Sequence, residues 1–393
     1  MATAPGRSSA VRERQERELQ ERGSAPDAVG VVVLGCCAAW ALISAAGRDA
    51  RPEGVLLAVL AVAAGYACGR ICGTLLPVTA AAAAALGGLG LAIASPHGVP
   101  GVTTMAPAPP GHTGAAAALL VLATGAACLA ASAAGPVSVR LVLRLLAVAV
   151  VCTSLVLGSV AGFAAATGVL LCSLAAARVR HRLPGLAGFA LATALVAGGS
   201  WAVAQDALPD GLTVSLQGQL TQHRMQLWHD AAALTEQHPV LGAGPGRFGD
   251  LSPTVQQSLY SDGKPHSAPL QQAAEQGFVG AGLLGALYCW MLFGLWRSSR
   301  STAVVLSAGA ALTALAALAS VGNPLSFTPV TAGAGLLAGL ATARRAGDPS
   351  YPSADPYPTA ETFPLGPLPA VAPLPPARAT GPRDTPPDTR HRA

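Results

Sequence analysis

Apolar residues in this chain gather in runs of about 20, and polar residues collect in the gaps between them. A run of that length matches the hydrocarbon core of a bilayer, where only a helix satisfies its own backbone groups. Ten runs predict membrane-spanning helices, near 28–46, 54–69, 73–95, 114–134, 142–158, 161–177, 185–204, 277–296, 301–320 and 328–343. Only the short stretch "GSVAG", Gly158 to Gly162, separates the fifth from the sixth. The pattern therefore predicts an all-α fold, a polytopic membrane helix bundle with about ten transmembrane helices.

The pattern also divides the chain. Residues 1–27 read as a charged cytoplasmic arm and 28–204 as the first seven spans. Residues 205–276 form one large, partly helical extracytoplasmic loop, followed by the last three spans over 277–345. The Pro-rich segment 346–393 has few large apolar residues and is expected to be a disordered cytoplasmic tail. The loop 96–113 is Pro/Gly-rich, with two histidines as its only titratable side chains. Small residues spaced four apart, as in "GLGLAIAS", read as helix-packing faces.

Charge supports one orientation. With the N-terminus inside, 19 of the 24 basic residues fall in cytoplasmic segments, leaving Arg48, Arg51, Arg224, Arg247 and Lys264 outside. That asymmetry follows the positive-inside rule, so the net charge of +5 is mostly an orientation signal. The basic residues are scattered over short loops, which argues against a nucleic-acid partner. At 52% hydrophobic and 11% charged, the composition fits a membrane protein rather than a soluble domain. One lysine beside 23 arginines, with abundant Ala, Gly and Pro, fits a GC-rich bacterial genome and so a bacterial cytoplasmic membrane.

All eight cysteines lie in or beside apolar runs, reading as small buried hydrophobes and not as a disulfide framework or metal site. No metal and no cofactor is expected. A secondary transporter, or a non-catalytic membrane partner of another protein, is the alternative to an enzyme. Transporters, however, place ionisable residues and broken helices near mid-membrane, and these spans are nearly charge-free.

Chemistry concentrates in the large loop. "LTQHRMQLWHDAAALTEQHP" has helical character, with Leu220, Leu227, Ala231 and Leu234 near one face and Pro239 ending the run. Arg224 and Trp228, four apart, are neighbours on that helix, and Trp228 is placed at the headgroup level as an interfacial anchor. "PVLGAGPGRFGD" is a tight turn whose Gly244 and Gly246 either bring backbone N–H groups and Arg247 to an anionic ligand or serve structure alone. Pro245 and the absence of a surrounding βαβ unit exclude a nucleotide loop. Ser267 and Pro269 then mark the start of a helix, with His266 just before it, Lys264 two residues earlier and Glu275 nine residues later.

Taken together, "RMQLW", "HPVLGAGPGRF" and "HSAPLQQAAEQGFVG" resemble the signature of the O-antigen ligase and polymerase superfamily, in the family's order and within one outside loop. The matching residues are Arg224 and Trp228, Pro239 to Phe248, and His266, Ser267, Leu270, Gln271, Glu275, Gly277 and Gly280. Where many family members carry Ser-Arg-Gly in an earlier outside turn, this chain has Ser159-Val160-Ala161-Gly162. The resemblance implies a metal-independent, inverting transferase that moves a glycan from a polyprenyl-diphosphate carrier to a glycan or lipid acceptor among membrane lipids. His266 and Arg224 are then the catalytic candidates. The substrate-binding candidates are Arg247, Lys264, Gln271, Glu275, Trp228, Gly244 and Gly246. Arg224 and Arg247 suit a diphosphate, and His266 suits a base near neutral pH. Glu275 either fixes the tautomer of His266 or belongs to the helix.

Overall fold

A computed structural model describes residues 6–94, 112–205, 207, 222–258 and 262–344. Among these no strand occurs. The helices are α1 (Gly6–Ala45), α2 (Glu53–Leu75), α3 (Pro77–Ala94), α4 (His112–Ala133), α5 (Val137–Val156), α6 (Val160–Ala176) and α7 (Arg182–Ala204). The loop contributes α8 (Gln222–Gln237) and two single turns, α9 (Phe248–Leu251) and α10 (Pro253–Gln256). The chain then forms α11 (Ala268–Arg297), α12 (Thr302–Ser320), a 3-10 turn at Pro324–Ser326 and α13 (Thr328–Thr342). Nearly all of the loop 96–113, part of 205–276 and the tail from 346 lie outside the described residues.

Eight of these helices are long and apolar enough to cross a bilayer, while α6 and α13 are shorter at 17 and 15 residues. The separation of α5 from α6 has a local cause. Gly158 turns the chain at φ +72°, and the Ser159 hydroxyl caps α6 by accepting from the Gly162 N–H at 3.1 Å.

Two expected boundaries move. The gap placed at residues 70–72 is absent, because α2 continues to Leu75 and Pro77 opens α3. Arg70 tolerates a helical position since its charge is met inside the protein: it pairs with Asp27 at 2.8 Å and donates to the Thr342 carbonyl. The eighth span likewise begins inside the loop, with α11 starting at Ala268 and breaking at Gly277 (φ +71°, ψ −173°). The cysteines are also corrected: only Cys37 and Cys128 are buried, and five of the eight are exposed on the outside of the bundle, where lipid accepts them.

α4 lies at the centre, almost wholly buried, against α3, α5, α6, α12 and α13. α2 and α13 meet through glycines. A Cβ at Gly65 or Gly69 would collide with the α13 backbone, and one at Gly335 or Gly339 with that of α2. Such contact depends on small residues, since lipid offers no hydrophobic drive to push helices together.

Where α2, α11 and α13 end, cations meet carbonyls. Buried Arg300 donates to Ala343 O at 2.7 Å and to Gly73 O at 2.6 Å, and Arg182 donates to Ser298 O at 2.6 Å. These bonds satisfy the carbonyls that helix C-termini leave unpaired.

Candidate functional site

At the other end of the bundle the loop folds onto α11. Leu227, Trp228, Ala231 and Leu234 of α8 are buried, forming a small core with Val203, Ala204, Phe248, Leu270 and Ala274. Leu220 lies outside the described residues. Trp228 is 1% exposed, so it cannot sit as an interfacial anchor; the apolar face of α8 is covered by α7 and α11, not by lipid. α8 stops at Gln237, before Pro239. Asp230 ties its far side down, accepting from the Ser252 hydroxyl and from the Thr254 N–H at 3.0 Å.

The glycine-rich turn is clamped to the break in α11. Ala243 N–H donates to Ala274 O at 2.8 Å, Gly244 N–H to Glu275 O at 2.9 Å, and Phe278 N–H to Pro239 O at 2.8 Å. Gly242 and Gly277 both have positive φ, and a Cβ at either would strike the opposing backbone. The Glu275 carboxylate sits inside this clamp, 4% exposed, accepting from the Gly246 N–H at 3.0 Å and from Gln271 Nε2 at 3.3 Å. The acceptor that meets the amides of the turn is thus supplied by the protein itself, and burial pushes the Glu275 carboxyl above its ordinary pKa. Gly244, Gly246, Gln271 and Glu275 come together in one network.

His266 lies just outside that network, with its backbone at φ +54°, a conformation few side-chain-bearing residues adopt. Its Nε2 is 3.2 Å from Asp262 Oδ1, so the group that orients this imidazole is Asp262 and not Glu275. Burial pushes the Asp262 carboxyl up, but the hydrogen bond and charge of His266 and the amide and charge of Lys264 outweigh it, leaving the pKa below the ordinary value. Ser267 stands at the N-cap of α11, yet its buried hydroxyl makes no capping bond.

The guanidinium of Arg224 has no hydrogen-bond or ion-pair partner among the described residues, and partial burial lowers its pKa. Arg247 packs its side chain against Gly244 and has a buried Nε that is likewise unpartnered.

Between α2, α7, α11, α12 and α13 lies a cavity of about 450 Å³. Its body is apolar, lined by residues such as Val59, Val62, Leu284, Leu312 and Leu315. Its mouth is polar, with Arg51, Gly246, Lys264, Gln271, Gln272 and Glu275. Four candidates therefore face it (Gly246, Lys264, Gln271 and Glu275), whereas His266, Arg224, Arg247, Trp228 and Gly244 do not.

The sequence reading missed the turn between α1 and α2. Arg48 donates to Gly242 O at 2.6 Å, and the Arg51 N–H donates to Pro245 O at 2.8 Å. The signal was present, since these are two of only five basic residues placed outside.

Among the described residues no group of three or more His, Cys, Asp or Glu could hold a metal ion. No curated protein matches the chain. The family model described as "O-Antigen ligase" matches residues 112–285, from α4 through the loop into the membrane part of α11. That match takes in the clamped turn, the Asp262–His266 pair and Glu275, and it supports the likeness of this part of the chain to the O-antigen ligase and polymerase superfamily.

Proposed function

We propose that this protein transfers a glycan from a polyprenyl-diphosphate carrier to a sugar or other acceptor at the outer face of a bacterial cytoplasmic membrane, in exopolysaccharide or cell-wall glycan assembly. The observation that carries this reading is the cavity, apolar between the helices and basic at its mouth. An amphiphile with a long hydrocarbon tail and an anionic head matches that division.

In this reading the acceptor hydroxyl attacks the anomeric carbon in a single displacement, the bond to the diphosphate breaks, and configuration inverts. The diphosphate departs readily once its charge is matched, a task for Arg224, Arg247 and Lys264 that requires no metal. His266 takes the proton of the attacking hydroxyl. With Nε2–H directed to Asp262, Nδ1 is the nitrogen left to act as base, and the carboxylate stabilises the imidazolium that forms. Glu275 and Gln271 hold the glycine turn against α11, and Trp228 seats α8 behind it.

The test is glycan-chain analysis in cells carrying His266→Ala or Arg224→Ala at normal protein level. Loss of a general base costs about 10²–10⁴-fold in rate, so His266→Ala should abolish detectable chain transfer. Unchanged transfer in both variants would instead favour a non-catalytic membrane partner. Purified protein in detergent, given a polyprenyl-diphosphate sugar, should retain activity in the presence of a chelator.

A further inference from the structure

The mouth of the cavity holds two cations, Arg51 and Lys264; among the described residues the Arg51 guanidinium has no hydrogen-bond or ion-pair partner, while the Lys264 charge acts on Asp262 and Glu275. Arg51 is held by its backbone and not by its side chain. Its N–H is bonded to Pro245 O at 2.8 Å, and its Cβ lies 3.2 Å from the position a Gly246 Cβ would take. Neighbouring Arg48 strengthens the attachment through Gly242 O. The backbone of Arg51 is thus held on the rim, and its exposed guanidinium has no partner among the described residues.

Among the described residues Glu275 is the one carboxylate lining the cavity; its oxygens accept bonds from Gly246 and Gln271, and it feels the charge of Lys264 but forms no ion pair with Arg51. Asp49 and Glu53, on the same turn as Arg51, do not line the cavity. Further in, Gln276 is 2% exposed and lines the same space, yet its Nε2 has no acceptor. A buried unpaired amide donor costs on the order of 1–3 kcal/mol, and a ligand oxygen in the cavity would remove that cost.

We infer that Arg51 is a head-group-binding residue of this cavity: with Lys264 it grips the anionic head of a long-chain lipid phosphate or diphosphate, while Gln276 Nε2 donates to an oxygen of that head. The assignment rests on the cavity being the seat of the carrier lipid. It adds a contact from the turn between α1 and α2, 173 residues in sequence from the arginine of α8, and explains why that turn is tied so closely to the glycine-rich loop. Arg51 supplies charge and Gln276 supplies a neutral, directional bond.

The experiment uses the full chain in nanodiscs and three probes: undecaprenyl diphosphate, undecaprenol without phosphate, and inorganic diphosphate. Wild-type protein is expected to bind the lipid diphosphate well above either fragment. Arg51→Ala should weaken that binding about tenfold, the scale of one charge-assisted hydrogen bond, and should flatten its salt dependence. Arg51→Lys should recover part of the loss, and Gln276→Leu should weaken binding with the salt dependence unchanged. Thermal unfolding midpoints of the variants confirm that each is folded, and Arg51→Lys keeps the test open if the alanine variant is not. If wild type discriminates among the probes but Arg51→Ala binds within twofold of it, the role of Arg51 is overturned while the carrier reading stands. If wild type binds undecaprenol as tightly as the diphosphate, the carrier reading itself falls, and this assignment with it.

Discussion

The two ends of the helix bundle treat arginine differently. Where α2 and α13 finish, Arg70, Arg182 and Arg300 each donate to main-chain carbonyls of other elements, and Arg70 also pairs with Asp27. At the loop end Arg48 donates to Gly242 O, but the guanidinium groups of Arg51 and Arg224 and the Nε of Arg247 have no acceptor among the described residues, and Lys264 acts on Asp262 and Glu275 by charge alone. Desolvating a cation without a partner is costly, so the half-buried Arg224, which has no partner among the described residues, marks that second end as one prepared for an anion. Satisfied cations hold helices together.

That contrast is sharpest in paired substitutions. The largest stability effect is expected from Arg300→Ala, which strips donors from two buried carbonyls, Ala343 O and Gly73 O. A loss of about 2–4 kcal/mol should appear as a lowered thermal midpoint of detergent-purified protein, with transfer activity per folded molecule preserved. A variant that loses activity and keeps its midpoint would remove the distinction between the two ends.

Arg224→Ala should behave in the opposite sense. Half-buried, with its pKa lowered by that burial and no partner among the described residues, this guanidinium holds no contact in place, so its removal should leave the midpoint unchanged or slightly raised while transfer collapses. Arg247→Ala follows the same pattern with a smaller rate loss, about tenfold if one charge-assisted bond to the diphosphate disappears. A fall in the midpoint of either variant by more than about 1 kcal/mol equivalent would mean that the arginine serves structure.

The smallest effect is at Asp262. Its carboxyl is held below the ordinary carboxylate range by His266 and Lys264, so the unfolded chain binds more protons than the folded one as the pH nears about 4. The stability it contributes is complete above that range and disappears as pH falls through the folded pKa. Asp262→Asn should therefore unfold at a lower temperature than wild type at neutral pH, and the two midpoints should converge in acid. Curves that stay parallel to low pH would show that the Asp262–His266 contact carries no charge.

Much of the fold was legible because bilayer thickness imposes a length on every apolar run; even the short "GSVAG" divide held, through Gly158 and the Ser159 cap. The misread boundary at Arg70 and the misread Trp228 share one cause, partners distant in sequence. Arg70 looked like a loop residue because its partner Asp27 lies 43 positions away, and periodicity cannot register a distant carboxylate. In the same way Trp228 looked like an anchor because an apolar stripe does not reveal whether lipid or α11 covers it. The glycines of the turn were visible, but not what fills them: the carboxylate of Glu275 lies 29 residues from the Gly246 amide that it accepts. Least legible was the cavity, whose walls come from helices widely separated in sequence and whose rim includes Arg51 from the first connecting turn.

The glycine seam between α2 and α13 also has a mechanical consequence. Two helices in backbone contact, with Gly65 and Gly69 facing Gly335 and Gly339, leave no side chains between them that could swing aside. That wall of the chamber is a stiff spine. Any widening that admits a bulky lipid tail must come from the facing side, where Thr193, Ala197 and Leu284 of α7 and α11 can part without unmaking a glycine contact.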